Sequence, residues 1–249
     1  MKLSIVIPAF NESGKIGRDV ESACEFLQKN GFDGEIIVAD DGSNDTTADA
    51  AQKASDKCGN QVGIRIIRNQ QHHGKGYAVR SGIMQSTGDY VMFADSGSCV
   101  PLDNILRGLE LLKSGKCDIA HGSRRLAGTH LIKDQGVYRH ICSTIFHWFV
   151  IRIMKIPVEL TDTQCGFKIY RGDVARLLYG QCITDGFMFD IEIILRAISR
   201  HYRIAEFPID WSCDLDSRLS PTRSFGRIFS ELLKIKKVTK TNKNIATHS

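Results

Sequence analysis

The chain has 249 residues, of which 42% are hydrophobic and 24% are charged, so it can bury a sizeable core as one large domain or two small ones. The net charge is +5, and no basic motif with interleaved aromatic residues accompanies it, which argues against nucleic acid as the partner. The eight cysteines show no metal or disulfide spacing, so we expect reduced thiols in a cytosolic setting.

Short apolar runs alternate with helical patterns in the first half of the chain. The predicted strands begin at Leu3, Glu35, Ile64, Tyr90 and Cys117, and the predicted helices cover residues 15–30, 46–57, 76–86 and 102–114. This alternation is typical of βαβ units and predicts an α/β fold with a mainly parallel sheet. The first two strands are nearly continuous in apolar residues, as expected for strands covered on both faces.

The alternation stops after Arg125. The rest of the chain contains an apolar and aromatic segment at 141–158, a strand at 165–171, a helix at 188–200, a strand at 202–211 and a helical tail from about Phe225. We predict a single domain over residues 1–225 and a basic C-terminal helix and tail over 226–249. Five lysines and no acid come after Glu231, which suits an anionic membrane surface; a solvated terminus would have the same composition.

Polar residues follow three of the predicted strands. Strand one ends in PAFNE (8–12), strand two in DDGSND (40–45) and strand four in FADSGS (93–98). In open α/β sheets ligands bind at the carboxyl ends of the strands, where acids can accept hydrogen bonds from a base or ribose, or hold a divalent cation. The pattern predicts a nucleotide whose diphosphate is bridged by a metal. Asp45 can alternatively cap the helix that comes after it.

These motifs, together with NQQHHGKG at 69–76, resemble those of the inverting family 2 glycosyltransferases. DTQCGFKIY (162–170), FDIE (189–192), FPIDW (207–211) and DSRL (216–219) further resemble the dolichyl-phosphate glucosyltransferases and the related dolichyl-phosphate mannose synthases. The resemblance covers about residues 3–220. It implies the GT-A fold, a mainly parallel central sheet flanked by helices, with amphipathic helices near residues 139–156.

The resemblance implies a donor-binding set at the strand ends, consisting of Pro8, Ala9, Asn11, Glu12, Asp40, Asp41, Lys75, Ala94, Asp95, Ser96 and Gln164. Asp95 would be the first acid of the D-x-D motif and the metal ligand, for Mg²⁺ or Mn²⁺. The family usually has a second acid two residues later, and this chain has Gly97. We expect weaker metal affinity rather than none, because Mg²⁺ keeps several waters and is often held by one or two carboxylates plus phosphate.

The resemblance also implies an acceptor-phosphate site made of Arg124, Arg139 and Ser143. Arg139 and Ser143 are four residues apart, one stripe of a helix that lies in the membrane interface or, alternatively, in the core. A phosphate acceptor is already an anion and needs no general base, so catalysis needs positive charge that positions it and stabilises the leaving nucleoside diphosphate. The residues expected to carry catalysis are Asp95, Arg139, Asp162 and Arg218.

The function implied is transfer of a hexose, glucose rather than mannose, from UDP-glucose or GDP-mannose to a polyprenyl or dolichyl phosphate. The chain is expected to be cytoplasmic and to associate peripherally with the cytosolic face of a membrane. A membrane-spanning partner subunit can accompany it. One alternative is a transferase to a hydroxyl of a polysaccharide or glycolipid, which would need Asp162 as general base. The other is a degenerate member that binds nucleotide sugar without turnover, which Gly97 would explain.

Overall fold

The computed structural model describes residues 1–59, 61–133, 144, 148–212, 226 and 228–238. The strands are β1 Lys2–Ala9, β2 Asp33–Asp40, β3 Gly63–Arg68, β4 Tyr90–Ala94, β5 Ile119–Ser123, β6 His130–Lys133, β7 Phe167–Arg171, β8 Ile204–Pro208 and β9 Asp210–Ser212. The helices are α1 Ile16–Lys29, α2 Thr47–Lys57, α3 Lys75–Met84, α4 Ile105–Lys113 (after a 3-10 turn, Leu102–Asn104), α6 Gly172–Gly180 and α7 Phe189–Ser199. The described parts of α5 and α8 cover residues 148–154 and 228–238.

Seven strands form one sheet in the order β3-β2-β1-β4-β7-β5-β8. All neighbouring pairs are parallel except those of β7, which runs antiparallel to both β4 and β5. The predicted mainly parallel α/β sheet is therefore confirmed. The antiparallel β7 begins at the edge where the parallel strands end, so it brings the segment before Phe167 to the same edge.

The strand expected at 202–211 is divided between two sheets. Its first part is β8, which pairs with β5, and its last part is β9, which pairs with β6 in a separate two-stranded sheet. Pro208 has no backbone N–H to donate, so the ladder of the large sheet ends there and the chain leaves it.

The sheet is covered on both faces, as the apolar runs of β1 and β2 predict. Seven consecutive residues are buried in each of these strands. Helix α1 presents a buried stripe with Ile16, Val20, Ala23 and Leu27, spaced by three or four residues. Full burial of the Ile16, Val20 and Leu27 side chains is worth roughly 1.5–3 kcal/mol each. Helices α3, α6 and α7 contribute to the core on the other face.

Helices α5, α7 and α8 share a third apolar cluster. Val150 and Met154 of α5 pack there with Ile191 of α7 and Leu232 of α8, whereas Trp148 is 66% exposed. Among the described residues, none of the helices combines the length and apolar character needed to cross a membrane. The six cysteines in the described part of the chain are free thiols.

A buried ion pair joins β7 to α7. Lys168 is 1% exposed, and its Nζ donates to Asp190 Oδ1 at 2.6 Å and to the carbonyl oxygens of Thr163 and Cys165 at 3.1 and 2.9 Å. Burial raises the pKa of Asp190, and the charge of Lys168 opposes that increase. The ammonium thereby compensates a carboxylate that is buried away from solvent.

We expect Lys168→Met to lower the free energy of unfolding by about 3–5 kcal/mol, because it leaves the Asp190 carboxylate buried without its cation. Chemical denaturation at neutral pH measures the change. The control is Lys29→Met, since Lys29 forms an exposed pair with Asp103 at 3.6 Å and its loss should cost less than about 1 kcal/mol. Equal effects of the two substitutions would contradict the importance of the buried pair.

Candidate active site

The candidate site lies at the edge of the sheet where the parallel strands end. Asp40 ends β2, Asp95 follows β4 and Arg124 follows β5, and these three strands run in the same direction. Gly166 precedes β7, which begins at this edge because it runs the opposite way. Residues that are distant in the sequence are therefore brought to one side of the molecule, as expected for a ligand site of an open α/β sheet.

The loops after β1 and β2 are hydrogen-bonded to each other. The Asn11 N–H donates to Ser43 Oγ at 2.8 Å, and the Asn44 N–H donates to Asn11 Oδ1 at 2.8 Å. The Glu12 N–H donates to Thr47 Oγ1 at 2.7 Å, which joins the first loop to α2. Asn11 has a φ of 52°, a conformation that asparagine tolerates better than most residues. The predicted donor residues Asn11 and Glu12 thus belong to one fixed unit with the acids of β2.

Asp40 is fully buried, and its two carboxylate oxygens differ. Oδ1 accepts hydrogen bonds from the backbone N–H and the hydroxyl of Ser43, at 3.0 and 2.5 Å. Oδ2 receives no hydrogen bond from the described residues, and Arg68 Nε lies 3.8 Å away. A buried acceptor in this condition is uncommon and suits an N–H or O–H group of a ligand.

Asp41 holds the loop that leads to Lys75. Its Oδ2 accepts from the Gly74 N–H at 2.7 Å and lies 2.8 Å from His72 Nδ1, and its Oδ1 accepts from Asn69 Nδ2 at 3.2 Å. The carboxylate is thus directed at residues 69–74 rather than left open. Asp45 accepts a hydrogen bond from the Thr47 N–H at 3.0 Å, at the start of α2, which agrees with the capping alternative.

Lys75 and Asp95 form an ion pair between α3 and the end of β4. Lys75 Nζ lies 2.7 Å from Asp95 Oδ1. Burial lowers the pKa of Lys75, but the charges of Asp95 and Asp190 outweigh it, so the pKa is raised. The Asp95 N–H donates to the Gly166 carbonyl oxygen at 2.9 Å, and a Cβ at Gly166 would overlap the Asp95 carboxylate. Glycine is therefore required beside Asp95.

The loop after Asp95 is turned toward α1 by an acid that the sequence analysis missed. Asp19 accepts hydrogen bonds from the Gly97 N–H at 2.8 Å and the Ser98 hydroxyl at 2.6 Å. Gly97 and Ser98 have φ values of 98° and 51°, so two consecutive residues take the left-handed conformation. Burial raises the pKa of Asp19, and these hydrogen bonds oppose the increase. The sequence offered one sign of this role, because Asp19 is an acid on the otherwise apolar stripe of α1 between Ile16 and Ala23.

Arg124 and Asp162 form a bidentate pair. Arg124 Nε and Nη2 donate to the two carboxylate oxygens of Asp162 at 2.6 and 2.8 Å, and the guanidinium lies 5.4 Å from the centre of the Trp211 ring. Burial raises the pKa of the Asp162 carboxyl, but the Arg124 charge and hydrogen bonds outweigh it and lower the pKa to about 2. Asp162 is therefore a weak proton acceptor at neutral pH.

Six charged side chains at this edge are paired with opposite charges. Asp190 interacts with both Lys75 and Lys168, and Lys168 in turn acts on Asp162. The six residues form three ion pairs, Lys75 with Asp95, Lys168 with Asp190 and Arg124 with Asp162. Their formal charges sum to zero. Glu192, also in the FDIE motif, instead binds the N–H of Thr184 at 2.9 Å and the guanidinium of Arg196 at 2.6 Å, so it supports the fold.

Of the remaining predicted residues, some lie within the described part of the chain and others lie outside it. Pro8, Ala9 and Ala94 are the last residues of β1 and β4. Ser96 follows Asp95 directly, and Gln164 Nε2 lies 3.9 Å from Met188 Sδ. Arg139, Ser143 and Arg218, with the DSRL motif, lie outside the described residues, so their predicted roles stay predictions.

Comparisons with known proteins show which family and which proteins the chain is similar to. The family model described as glycosyl transferase family 2 matches residues 4–178. A dolichyl-phosphate beta-glucosyltransferase of Saccharomyces cerevisiae is 33% identical over 84% of this chain and 66% of its own length. One of Dictyostelium discoideum is 30% identical over 94% of this chain and 73% of its own length. This chain thus spans just under two thirds of the yeast relative.

A solved structure has the same fold. It is glucosyl-3-phosphoglycerate synthase from Mycobacterium tuberculosis in complex with Mn²⁺, UDP-glucose and phosphoglyceric acid. The TM-score is 0.72 at 19% sequence identity, and the alignment covers 94% of this chain and 79% of that one. At this identity the likeness bears on the fold, and it agrees with the GT-A architecture expected from the motifs.

We expect Gly166→Ala to displace the Asp95 carboxylate and to lower the affinity for a nucleoside diphosphate by at least tenfold, because the added methyl group overlaps that carboxylate. Isothermal titration measures the affinity. Gly14→Ala is the control, since a Cβ there meets nothing within 4 Å. Unchanged affinity in Gly166→Ala would show that Asp95 is not held as described.

The low pKa of Asp162 predicts a pH dependence of stability. A carboxyl whose pKa falls from 3.8 to about 2 on folding adds stability that is present above pH 3.8 and is lost as the pH falls toward 2. The contribution is on the order of 2 kcal/mol. Denaturation between pH 5 and 2 should show a smaller decrease for Asp162→Asn than for the unmodified chain. Parallel curves would contradict the assignment.

Proposed function

The chain belongs to glycosyl transferase family 2, and on this basis we propose that it transfers glucose, with inversion, from UDP-glucose to a polyprenyl or dolichyl phosphate. Two relatives that are 33% and 30% identical bear the name dolichyl-phosphate beta-glucosyltransferase. A nucleotide-sugar-dependent hexosyltransferase is what the family and the fold both support. The proposal adds three specific features to this activity: glucose as the sugar, uridine as the nucleoside and a lipid phosphate as the acceptor.

The donor is proposed to lie along the ends of β1, β2 and β4. The buried Asp40 Oδ2 would accept from the base or ribose, beside the loop of Asn11 and Glu12. Asp41 would have an indirect role: it accepts a hydrogen bond from the Gly74 N–H, and the loop fixed in this way would position Lys75 near the diphosphate. Acceptors for the nucleoside and a cation for the phosphates are the groups that such a donor requires.

The site fits a weakly bound divalent metal. Within the described part of the chain, no three His, Cys, Asp or Glu side chains converge as a metal site. Asp95, whose side chain is 39% exposed, offers one carboxylate, and a donor diphosphate and waters can complete the coordination of Mg²⁺ or Mn²⁺. Such an ion would stabilise the charge that develops on the leaving diphosphate. The structural neighbour was crystallised with Mn²⁺, which supports a metal in this fold.

The pair of Arg124 and Asp162 is the observation that carries the choice of acceptor. Transfer to a hydroxyl requires a base, and an Asp162 carboxyl with a pKa of about 2 and both oxygens bound to Arg124 is poorly suited to that task. A phosphate acceptor needs no base and is attracted by cations. We propose that Arg124, positioned by Asp162, and Arg139 with Ser143 bind this phosphate, and that Arg218 closes over the diphosphate.

We further propose that the protein binds the cytosolic face of a membrane peripherally. On α8, Ile228, Leu232 and Ile235 face the core, whereas Phe229 and Leu233 are 42% and 53% exposed. Lys234 and Lys237 are exposed on the same helix. An exposed apolar pair with lysines suits an anionic lipid surface that also holds the acceptor. A membrane-spanning partner subunit remains part of this proposal.

The test is transfer of labelled glucose from UDP-glucose to dolichyl phosphate in vesicles. We expect label in the lipid fraction, and we expect Arg139→Gln to lower turnover at least as much as Asp162→Asn does, by roughly 10²-fold, because charge that positions the acceptor matters more than a base. GDP-mannose is the control donor. Abolition of turnover by Asp162→Asn with a mild effect of Arg139→Gln would instead favour a hydroxyl acceptor. No transfer with any donor or metal would favour a binding protein without turnover.

A further inference from the structure

We propose that Lys75 is an internal cation that competes with the divalent metal for Asp95, so that the metal binds this chain together with the donor diphosphate and not before it. The inference rests on the metal-assisted transfer proposed above. It concerns the order in which charges enter the site, and four features of the described residues carry it: the position of Lys75, its rigidity, the pairing of the neighbouring charges and the turn at Gly97.

The first feature is the geometry of the pair. Asp95 Oδ1 is inaccessible to solvent and lies 2.7 Å from Lys75 Nζ, and the other side of the carboxylate packs on Gly166. A metal ion that binds Asp95 through either oxygen therefore lies within a few ångströms of the ammonium. At such a distance two cations repel strongly, because water is partly excluded from the site.

The second feature is that the backbone of Lys75 is fixed between two close contacts. A Cβ at Gly74 would lie 2.5 Å from the carbonyl oxygen of Asp185, and a Cβ at Gly76 would lie 2.5 Å from that of Thr184. The Tyr77 N–H also donates to the Asp185 carbonyl oxygen at 3.1 Å. Because the start of α3 is clamped against this turn, Lys75 cannot move away from Asp95 by a shift of the helix.

The third feature is the pairing of the neighbouring charges. Asp190 of α7, which is 3% exposed, is already paired with Lys168, whose Nζ lies 2.6 Å from its Oδ1. Asp95 is the carboxylate that lies 2.7 Å from the Lys75 ammonium. Binding of a divalent ion to Asp95 alone would bring three positive charges to one carboxylate.

The fourth feature is the loop after Asp95. Gly97 stands where an acid would supply a second negative charge, and its N–H and the Ser98 hydroxyl are bound to Asp19 on α1. No charge from this loop offsets the approach of a metal. A donor diphosphate brings additional negative charge and can contact both the metal and Lys75. Each cation is then attracted to the diphosphate, which offsets the repulsion between the metal and the Lys75 ammonium.

The experiment measures Mn²⁺ binding from the free-ion EPR signal, with and without UDP, for four proteins. These are the unmodified chain, Lys75→Met, Lys75→Arg and Lys57→Met. Lys57 is the matched control, because its Nζ also lies 2.7 Å from a carboxylate, that of Glu21, outside the site. Lys75→Arg keeps the cation and tests whether charge, rather than shape, governs the result. Circular dichroism establishes that each variant is folded.

Without UDP we expect Lys75→Met to bind Mn²⁺ at least tenfold more tightly than the unmodified chain, and we expect Lys57→Met to behave like the unmodified chain. Lys75→Arg, which keeps a cation, should bind Mn²⁺ less tightly than Lys75→Met. UDP should tighten Mn²⁺ binding by more than tenfold in the unmodified chain and by much less in Lys75→Met. Equal or weaker Mn²⁺ binding by Lys75→Met without UDP would overturn the inference, as would an absence of Mn²⁺ binding in every variant.

These outcomes are separate from those of the transfer assay. Mn²⁺ and UDP binding need no acceptor and no turnover, so a chain that fails to glucosylate dolichyl phosphate can still show the competition. Conversely, a chain that transfers glucose but binds Mn²⁺ without regard to Lys75 would disprove this inference alone.

Discussion

Buried charges at this sheet edge are tolerable because each one lies beside an opposite charge. Taking an ion out of water costs several kcal/mol, and a well-placed partner offsets that cost. Lys168 meets this condition for Asp190, and Arg124 meets it for Asp162. The same residues link β7 to α7 and fix the segment before β7, so the charges proposed to act on the substrates also hold the site together.

Close backbone packing holds the elements of this network together. Gly74 and Gly76 allow α3 to contact the turn at 184–186, and Gly166 allows the segment before β7 to contact Asp95. The Glu231 carboxylate of α8 packs against Gly186 of this turn and accepts a hydrogen bond from the N–H of Met188, two residues further on, at 3.2 Å. The helix with the exposed apolar pair and lysines is thus joined, through one carboxylate, to the turn that supports Lys75.

The sequence predicted the parts of the molecule that depend on local pattern. Apolar periodicity located β1, β2 and α1, and the rule for strand ends located Asp40 and Asp95. It did not predict that β7 is antiparallel or that β9 leaves the large sheet, because strand direction depends on partners far along the chain. It also did not predict a role for Asp19. An acid on the apolar stripe of a helix does not indicate its hydrogen-bond partner, which here is a loop 78 residues further along the chain.

Asp19 fixes the conformation of the loop after Asp95, in which Gly97 lies. Gly97 donates its N–H to Asp19 with a φ of 98°, and Ser98 lies in the same left-handed region. A φ of 98° lies in a region that residues with a side chain rarely adopt. The loop that Asp19 draws toward α1 therefore favours glycine, and under the proposed competition Lys75 and the metal would share the single carboxylate of Asp95.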